Sequence, residues 1–305
     1  MAKYIEINGE RIKPPKSKLK IDWYYVFTLS IIMLWMISMC SLIVWGFVAS
    51  FRTPGDFNND PLLLPKRFTF ENYIKVFAEM NFEIGTGASK RPVYIEEMFL
   101  NSVIYAGGSA LLNVFVPMVT GYAIGRYRFR FGEVIYTVVL ICMALPIVGS
   151  LPSQIEMFKT FGMYNTRLGL PISQANFLSI YTLLFCAFFK GVAREYYEAA
   201  QIDGASEWYI MTKVLVPLCR NLFFTLVLIK FVQYWNDYST PLVFQQDYPT
   251  IAYGIFQFSF STDTDLAWDT VKMAGTMVML VPTLTIFIIF HNKFLTGVSM
   301  GGIKE

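Results

Sequence analysis

Charged residues are scarce in this sequence, and their scarcity excludes an ordinary soluble domain. Asp, Glu, Lys and Arg make up 15% of the 305 residues, whereas a soluble globular domain carries about 25%. Hydrophobic residues make up 55%, and the mean hydropathy is +0.46. The net charge is only +3 and gives no support to nucleic-acid binding. These proportions indicate a membrane protein.

Groups that support catalysis or metal binding are equally scarce. The sequence has one histidine, His291, and four cysteines that lie far apart without any C-x-x-C spacing. We expect small buried or lipid-facing roles for these cysteines: Cys40, Cys142, Cys186 and Cys219. The phosphate-binding pattern G-x-x-x-x-G-K-[ST] is absent. We therefore expect no metal site, no cofactor bound by this chain and no catalytic residues.

Long apolar runs are abundant, and six of them predict membrane spans. The first, Trp23 to Ser50, exceeds the roughly 20 residues that a helix needs to cross a bilayer. The sequence therefore predicts an all-α fold, a polytopic membrane helical bundle with six transmembrane helices. The transmembrane domain is predicted over 23–291, between tails 1–22 and 292–305. Its spans are predicted at about 23–50, 98–124, 134–151, 175–190, 218–238 and 271–290.

Lysine and arginine are distributed unevenly between the segments that flank the predicted spans. The segments on one side, which include both tails, contain fifteen of them, whereas the longer segments on the other side contain eight. Cytoplasmic segments carry the excess of Lys and Arg in membrane proteins. We therefore expect both termini and the segment 192–217 to be cytoplasmic.

One long charged segment interrupts the apolar C-terminal half between the fourth and fifth spans. It contains Glu198–Ala200, and Gly204 is predicted to adopt the positive φ of a sharp turn. Ser206 is a favourable N-cap for a second short helix, which Pro217 is predicted to end. Apolar residues recur at helical spacing and predict one apolar face on this helix: Trp208, Met211 and Leu215. The alternative is an ordinary cytoplasmic loop.

This segment resembles the cytoplasmic EAA loop of ABC importer permeases, E-A-A-x3-G-x9-I-x-L-P, with Val214 and Val216 in place of Ile and Leu. In that family the loop is a coupling helix that docks in a cleft of the ATPase subunit. The resemblance implies the fold of a type I ABC importer permease. It also implies an ATPase-coupling role for Glu198, Ala199, Ala200, Asp203, Gly204, Trp208, Met211 and Pro217.

Further matches resemble permeases of carbohydrate uptake, in particular the maltose-type second permease subunit. The segments that carry this similarity are Trp235–Asp237 with Pro241 and Leu242, Phe70–Tyr73 with Asn101 and Ser102, Gly121–Ile124 with Arg126 and Phe129, and Thr296–Lys304. Two positions depart from the family pattern. Ala193 replaces a usual proline before the coupling glutamate, and Lys230 is not expected in the fifth span.

A set of polar residues in the fifth span predicts a substrate path: Lys230, Gln233, Tyr234, Trp235, Asn236 and Asp237. A charge in mid-membrane costs at least roughly 2.5–3.5 kcal/mol, and Lys230 lies about halfway along the span. Its spacing from Gln233 and Asp237 places the three residues on one helix face. In one interpretation this face lines a water-filled path and binds a sugar through aromatic and hydrogen-bonding groups. In the other, Lys230 pairs with a neighbouring helix and Trp235–Asp237 lies at the outer interface.

The polar segment 241–268 corresponds in position to the loop that reaches into the binding protein in maltose-type permeases. The resemblance implies contact residues in this segment: Gln245, Gln246, Tyr248, Tyr253, Phe256 and Gln257. The alternative is a solvated connector.

The resemblance implies an ATP-driven importer of at least five subunits in a bacterial cytoplasmic membrane. This chain would pair with a second homologous permease, two ATPase subunits that bind ATP and Mg, and an extracytoplasmic solute-binding protein. The solute would be a sugar or oligosaccharide. One alternative is an ion-coupled secondary carrier in which Lys230 and Asp237 titrate. Another is a membrane-bound enzyme, against which the scarcity of catalytic groups argues.

Overall fold

Each of the six predicted apolar runs contains a helix in the computed structural model of the chain. The structure describes residues 5–7, 10–12, 23–62, 64–85, 90–127, 130–145, 149–260 and 268–299. Most of the predicted N-terminal tail, part of the segment 241–268, and residues 300–305 of the C-terminal tail lie outside the described residues. The same holds for the side chain of His291.

Helices make up most of the described chain, with two short antiparallel strand pairs. The strands are β1 (Ile5–Ile7) with β2 (Glu10–Ile12), and β3 (Asn81–Ile84) with β4 (Arg91–Tyr94). The helices are α1 (Trp23–Ser50), α2 (Pro54–Asn59), α3 (Glu71–Glu79), α4 (Ile95–Arg126), α5 (Arg130–Ala144), α6 (Leu151–Thr160), α7 (Gly169–Ser173), α8 (Ile180–Gly191), α9 (Glu195–Ile202), α10 (Glu207–Tyr209), a π-helical segment (Ile210–Leu215), α11 (Val216–Trp235), α12 (Ser239–Phe244), α13 (Ile251–Phe258) and α14 (Asp269–Ser299). The chain divides into two units, Met1–Val48 and Ala49–Glu305.

Among the described residues, four helices are long and apolar enough to cross a membrane: Trp23–Ser50, Ile95–Arg126, Glu207–Trp235 and Asp269–Phe290. Two further apolar helices, Phe131–Ala144 and Ile180–Gly191, are shorter. They correspond to the predicted third and fourth spans, and the number six stays a prediction.

The two short helices are where the predicted boundaries differ most from the structure. The predicted span 134–151 crosses a break, because Gly149 has a φ of 75° and Leu151 begins a separate helix, α6. The predicted span 175–190 begins too early. Asn176 accepts a hydrogen bond from the Leu178 backbone N–H at 2.8 Å, and such local side-chain bonds compete with helix formation. The helix therefore starts at Ile180.

Helix α4 is central to the second unit and passes through two clusters of buried side chains. Its first half packs with residues of α11, α13 and α14 around Tyr105 and Trp235. Its second half packs with α8 and the π-helical segment around Phe185 and Ile210. Close packing there requires glycine: a Cβ atom on Gly121 would lie 2.6 Å from the Phe185 Cβ and 2.9 Å from the Thr182 carbonyl oxygen.

Substitution of Gly121 by leucine is expected to lower the free energy of unfolding by about 1–3 kcal/mol, the usual cost of overpacking a filled core. The backbone of α8 is one of the groups in the way, so rotation of a side chain cannot relieve the clash. The measurement is the thermal unfolding midpoint in detergent. Gly107 of the same helix is the matched control, because no atom lies within 4 Å of its added Cβ. Equal midpoints for Gly121→Leu and Gly107→Leu would contradict this account.

The contacts of α4 sort the connecting segments into two groups. At its first turn, Glu97 accepts hydrogen bonds from Arg91 at 2.8 Å and from Arg167 at 3.0 Å, and the Arg167 guanidinium lies 5.0 Å from the ring centroid of Tyr248. At its other end, Tyr127 contacts Glu207. Segments 51–96, 152–174 and 241–268 therefore meet at one end of α4, and segment 192–217 lies at the other. This is the arrangement expected when consecutive helices cross a membrane in opposite directions, so that their connecting segments alternate between the two sides.

Candidate coupling site and solute path

The predicted sharp turn between two short helices is present at Gly204. Helix α9 ends at Ile202, and Gly204 has a φ of 73°. The next helix starts at its predicted cap, since the Ser206 Oγ accepts a hydrogen bond from the Tyr209 backbone N–H at 3.3 Å. No atom lies within 4 Å of a Cβ added to Gly204, so glycine is needed there for its backbone conformation and not for space. We call residues 195–209 the coupling hinge.

Pro217 does not end the second helix, which corrects the prediction. The helix continues from Glu207 through the π-helical segment into α11 and reaches Trp235 without a break. In the π-helical segment the Val216 N–H bonds to the Met211 carbonyl oxygen, five residues earlier. Proline has no backbone N–H and cannot make the α-helical hydrogen bond to the residue four positions earlier. The wide π turn before Pro217 does not depend on that bond and therefore tolerates proline.

The predicted single apolar face does not form along this helix. Trp208 is 71% exposed, whereas Leu215 is 2% exposed and belongs to a buried cluster. Met211 is half-buried and packs against the same cluster. A π turn takes more residues than an α turn, so positions seven apart no longer share a face. Trp208 is therefore the large apolar side chain of the predicted coupling set that faces outward.

Glu207 links the two halves of the coupling hinge to α4, and sequence reasoning missed it. Its carboxylate accepts a hydrogen bond from the Tyr127 hydroxyl at 2.7 Å and another from the Tyr197 hydroxyl. The hydrogen bond to Glu207 raises the pKa of the Tyr197 hydroxyl. The Arg126 guanidinium lies over this ring, with 3.7 Å between its Cζ and the Tyr197 ring centroid. The signal in the sequence was that Glu207 is an acidic residue in the first turn of a helix. That signal does not predict a hydrogen-bond partner at the end of α4.

The remaining coupling residues are divided between the surface and the core. Glu198, Ala199 and Asp203 are exposed, whereas Ala200 is half-buried and packs against the buried cluster. A groove of about 270 Å³ runs beside Glu198 and is lined by Arg126, Tyr127, Arg194, Tyr197, Glu198 and Gln201. The hinge therefore presents a carboxylate, a small-residue surface and an exposed indole at one end of the second unit.

The predicted substrate-path residues divide in the same way. Lys230 and Gln233 are accessible, and the Lys230 ammonium donates a hydrogen bond to the Gln233 Oε1 at 2.9 Å. Tyr234 is buried, and its hydroxyl donates to the Gln174 Oε1 at 2.7 Å. Trp235 is also buried, and its indole N–H donates to the Met279 carbonyl oxygen. Trp235 thus belongs to the core and not to a path, which corrects the prediction.

Asp237 does not share a helix face with Lys230, because α11 ends at Trp235. Its Oδ2 accepts a hydrogen bond from the Tyr105 hydroxyl at 2.8 Å, and its Oδ1 accepts bonds from the backbone N–H groups of Ser239 and Thr240. The neighbouring Asn236 is exposed and bonds to the Val232 carbonyl oxygen of its own helix. Among the described residues no ion pair joins Lys230 to Asp237.

The described part of segment 241–268 is largely helical, which corrects the prediction of a polar loop. Gln245 and Tyr253 are buried, so neither is available as a contact residue in this chain. Tyr253 is in α13, which packs on α4 and α14. Gln246 is exposed, Tyr248 and Gln257 are half-buried, and Phe256 stacks on Tyr238 with 4.2 Å between ring centroids. Alternation of apolar and polar residues did not reveal which side chains face the core.

Metal chemistry has no support in the described ranges. There the His, Cys, Asp and Glu side chains form no group of three that could bind a metal ion.

Comparison with known proteins gives consistent results. The chain is 26% identical over 278 residues to the diacetylchitobiose uptake system permease protein NgcG of Streptomyces coelicolor, with 90% of this chain and 87% of the relative covered. It is also 26% identical over 266 residues to the trehalose/maltose transport system permease protein MalG of Thermococcus litoralis, with 86% and 90% covered. A chain of a bacterial ABC transporter involved in the import of the acidic polysaccharide alginate has the same fold. The TM-score is 0.75 at 18% identity, and 92% of this chain and 100% of that chain are covered.

The family assignment follows from the match of residues 118–298, more than half of the chain, to one family model. The match begins within α4 and includes the coupling hinge, α11 and all but the last residue of α14. It confirms the predicted resemblance to ABC importer permeases. The chain belongs to the family of binding-protein-dependent transport system inner membrane components.

Proposed function

We propose that this chain is a permease subunit of an ATP-driven importer of sugars or oligosaccharides and that it couples to an ATPase through the coupling hinge. The carbohydrate assignment is supported by relatives named for diacetylchitobiose and for trehalose and maltose. A second, homologous permease completes the path. Two ATPase subunits, which bind ATP and Mg, supply the energy, and an extracytoplasmic binding protein delivers the solute.

The exposed hinge is the observation that carries this proposal. Trp208 and Glu198 are both exposed on the hinge, and a large aromatic side chain such as Trp208 anchors protein interfaces when it enters a pocket of the partner. The hydrogen bonds of Glu207 to Tyr127 and Tyr197 hold the two short helices against α4. The hinge therefore moves as one body with the transmembrane helices.

Motion at the hinge passes directly into the membrane. The helix from Glu207 to Trp235 has 29 residues and spans about 43 Å at 1.5 Å per residue. When ATP binding closes the ATPase dimer, the hinge is displaced and this helix swings with it. The path then alternates between inward-open and outward-open states.

The distribution of Lys and Arg supports the proposed orientation in the membrane, and the contacts at the two ends of α4 are consistent with it. The hinge and both termini are cytoplasmic, and the segment 241–268 faces the binding protein. Within that segment, contact is made by the side chains that remain accessible: Gln246, Tyr248, Phe256 and Gln257. The Asn101 amide donates a hydrogen bond to the Pro249 carbonyl oxygen at 3.1 Å and anchors the backbone next to Gln246 and Tyr248.

Reversal of charge at Glu198 tests the coupling. We expect Glu198→Lys to reduce ATP-driven uptake into membrane vesicles by roughly tenfold, because it removes a charge-assisted contact with the ATPase. The protein should remain in the membrane at the normal level, since Glu198 is exposed. Glu156→Lys is the control and should retain uptake, because Glu156 is exposed on α6, at the opposite end of α4 from the hinge.

Two outcomes would contradict the proposed function. In one, purification of the chain in mild detergent recovers neither an ATPase nor a second permease. In the other, uptake in vesicles supplied with ATP stops when the proton or sodium gradient is collapsed, which is the behaviour of an ion-coupled carrier.

A further inference from the structure

Lys230 occupies an exceptional position in the chain. It lies twelve residues after Leu218 and eight before Tyr238, the ends of the predicted fifth span. Every other Lys, Arg, Asp or Glu within the six predicted spans lies within two residues of a span end. A mid-membrane charge is costly and faces a path or a partner rather than lipid. Its retention therefore needs an explanation from its surroundings.

The surroundings of Lys230 hold the ammonium group without neutralising it. The Gln233 Oε1 accepts its hydrogen bond at 2.9 Å. The ring centroids of Tyr181 and Tyr234 lie 5.3 Å and 5.8 Å from its Nζ, within the distance of cation–π attraction. Both rings and the amide are uncharged, so the positive charge is positioned but, within the part of the chain that the structure describes, not paired.

The carboxylate closest in the sequence is occupied elsewhere. Asp237 accepts hydrogen bonds from Tyr105, Ser239 and Thr240. It therefore caps the start of α12 and contributes no ion pair to Lys230. Within the described ranges, the ion pairs of the chain involve Asp56, Glu83 and Glu97, which lie in segments outside α11.

The site around Lys230 is also fixed in position. Tyr234 is buried, with its hydroxyl bonded to Gln174 and its ring packed edge-on against Tyr105 at 5.7 Å. Gln174 belongs to the segment after α7, and Tyr181 belongs to α8. Three segments of the chain therefore meet at Lys230 and keep its ammonium group accessible beside two aromatic rings.

We propose that the transported solute is an acidic carbohydrate and that Lys230 binds its anionic group during passage. This inference rests on the proposed importer function and names its substrate class. A carboxylate, sulfonate or phosphate on the sugar forms a charge-assisted hydrogen bond with the ammonium group. The half-buried Tyr181 ring offers a flat apolar surface to the C–H face of the sugar, and the N–H groups of the exposed Gln233 amide bond its hydroxyls.

The test uses the full transporter in membrane vesicles of known orientation, together with its own binding protein. The probes are mannuronate, galacturonate and glucuronate disaccharides, sulfoquinovosyl glycerol and glycerol 3-phosphate, each beside a neutral compound of the same skeleton. We expect the binding protein to prefer at least one acidic probe over its neutral partner. We expect Lys230→Met to reduce uptake of that probe by roughly 10- to 100-fold, the range for loss of a hydrogen bond to a charged group.

Matched variants separate binding from folding. Lys230→Arg keeps the charge and should retain uptake within a few-fold of the wild type. Lys272→Gln removes a positive charge from the start of α14, where the ammonium bonds to the Ser259 carbonyl oxygen, and should leave the preference for the acidic probe unchanged. Each variant is compared at equal membrane level and with equal recovery of the ATPase.

Three outcomes would overturn the assignment of Lys230. The first is binding of neutral probes alone, with normal ATP-driven uptake, which leaves the importer function intact. The second is normal uptake of the acidic probe by Lys230→Met. The third is equal loss of acidic and neutral probes in that variant, which indicates a structural role such as pairing with the second permease. Absence of ATP-driven uptake for every probe would overturn the importer function as well.

Discussion

The Gly204→Val variant should reach the membrane at the normal level and lose ATP-driven uptake by roughly tenfold or more, because the left-handed conformation costs an L-residue about 1–2 kcal/mol and a β-branched residue more. Gly204 has a φ of 73°. Valine relieves the strain by opening the turn, and this moves Glu198 and Trp208 out of their relative positions. Uptake in vesicles and the stimulation of ATP hydrolysis by loaded binding protein are the two measurements.

A substitution series isolates the backbone as the cause. Neither Gly204 nor Gly191 has an atom within 4 Å of an added Cβ, but only Gly204 has a positive φ. Gly191→Val should therefore retain uptake. Gly204→Asn should retain more than Gly204→Val, since asparagine tolerates the left-handed region. If the valine and asparagine variants at 204 behaved alike, the loss would come from side-chain bulk at an interface instead.

Truncation of Trp208 should have the largest effect on assembly. An aromatic anchor that fills a partner pocket typically contributes 2 kcal/mol or more, so Trp208→Ala is expected to weaken ATPase binding by roughly 30-fold or more. The side chain is 71% exposed in this chain, and its removal leaves no cavity behind. The measurement is the affinity of the purified ATPase for the permease pair in detergent, together with the thermal stability of the permease.

Phe161 provides a control with the same exposure. It is 71% exposed and follows α6 in the segment 152–174, at the opposite end of α4 from the hinge. Phe161→Ala removes a comparable apolar surface and should leave ATPase affinity unchanged. Equal losses at both positions would point to a general effect of surface truncation, and an unchanged affinity for Trp208→Ala would remove the indole from the interface.

The sequence was informative where one residue type determines the local conformation. Apolar runs predicted the helices, because a backbone in lipid must satisfy its own hydrogen bonds. Gly204 and Ser206 predicted the turn and the cap, since each acts through its own backbone or side chain. The same local logic failed at Leu151, which begins a new helix where a continuous apolar run suggested one span.

The sequence was least informative where contacts join distant segments. Nothing local to Glu207 indicates that Tyr127, eighty positions earlier, donates a hydrogen bond to it. The burial of Tyr253 likewise depends on α4 and α14 packing against α13, and not on the polarity of its own side chain. Tertiary packing determines which polar residues face inward, and those contacts cannot be read directly from a single sequence.

The π-helical turn between the coupling hinge and α11 sets the rotational angle between the side chains before it and those after it. Each residue of an α-helix advances the side-chain direction by about 100°. One extra residue in a π turn therefore rotates the side chains of the coupling hinge by about that angle relative to the side chains of α11. Pro217 cannot supply the N–H that would close the regular ladder onto Lys213. Under the proposed function, the π-helical segment together with Pro217 therefore helps to set the rotational angle at which the hinge faces the ATPase.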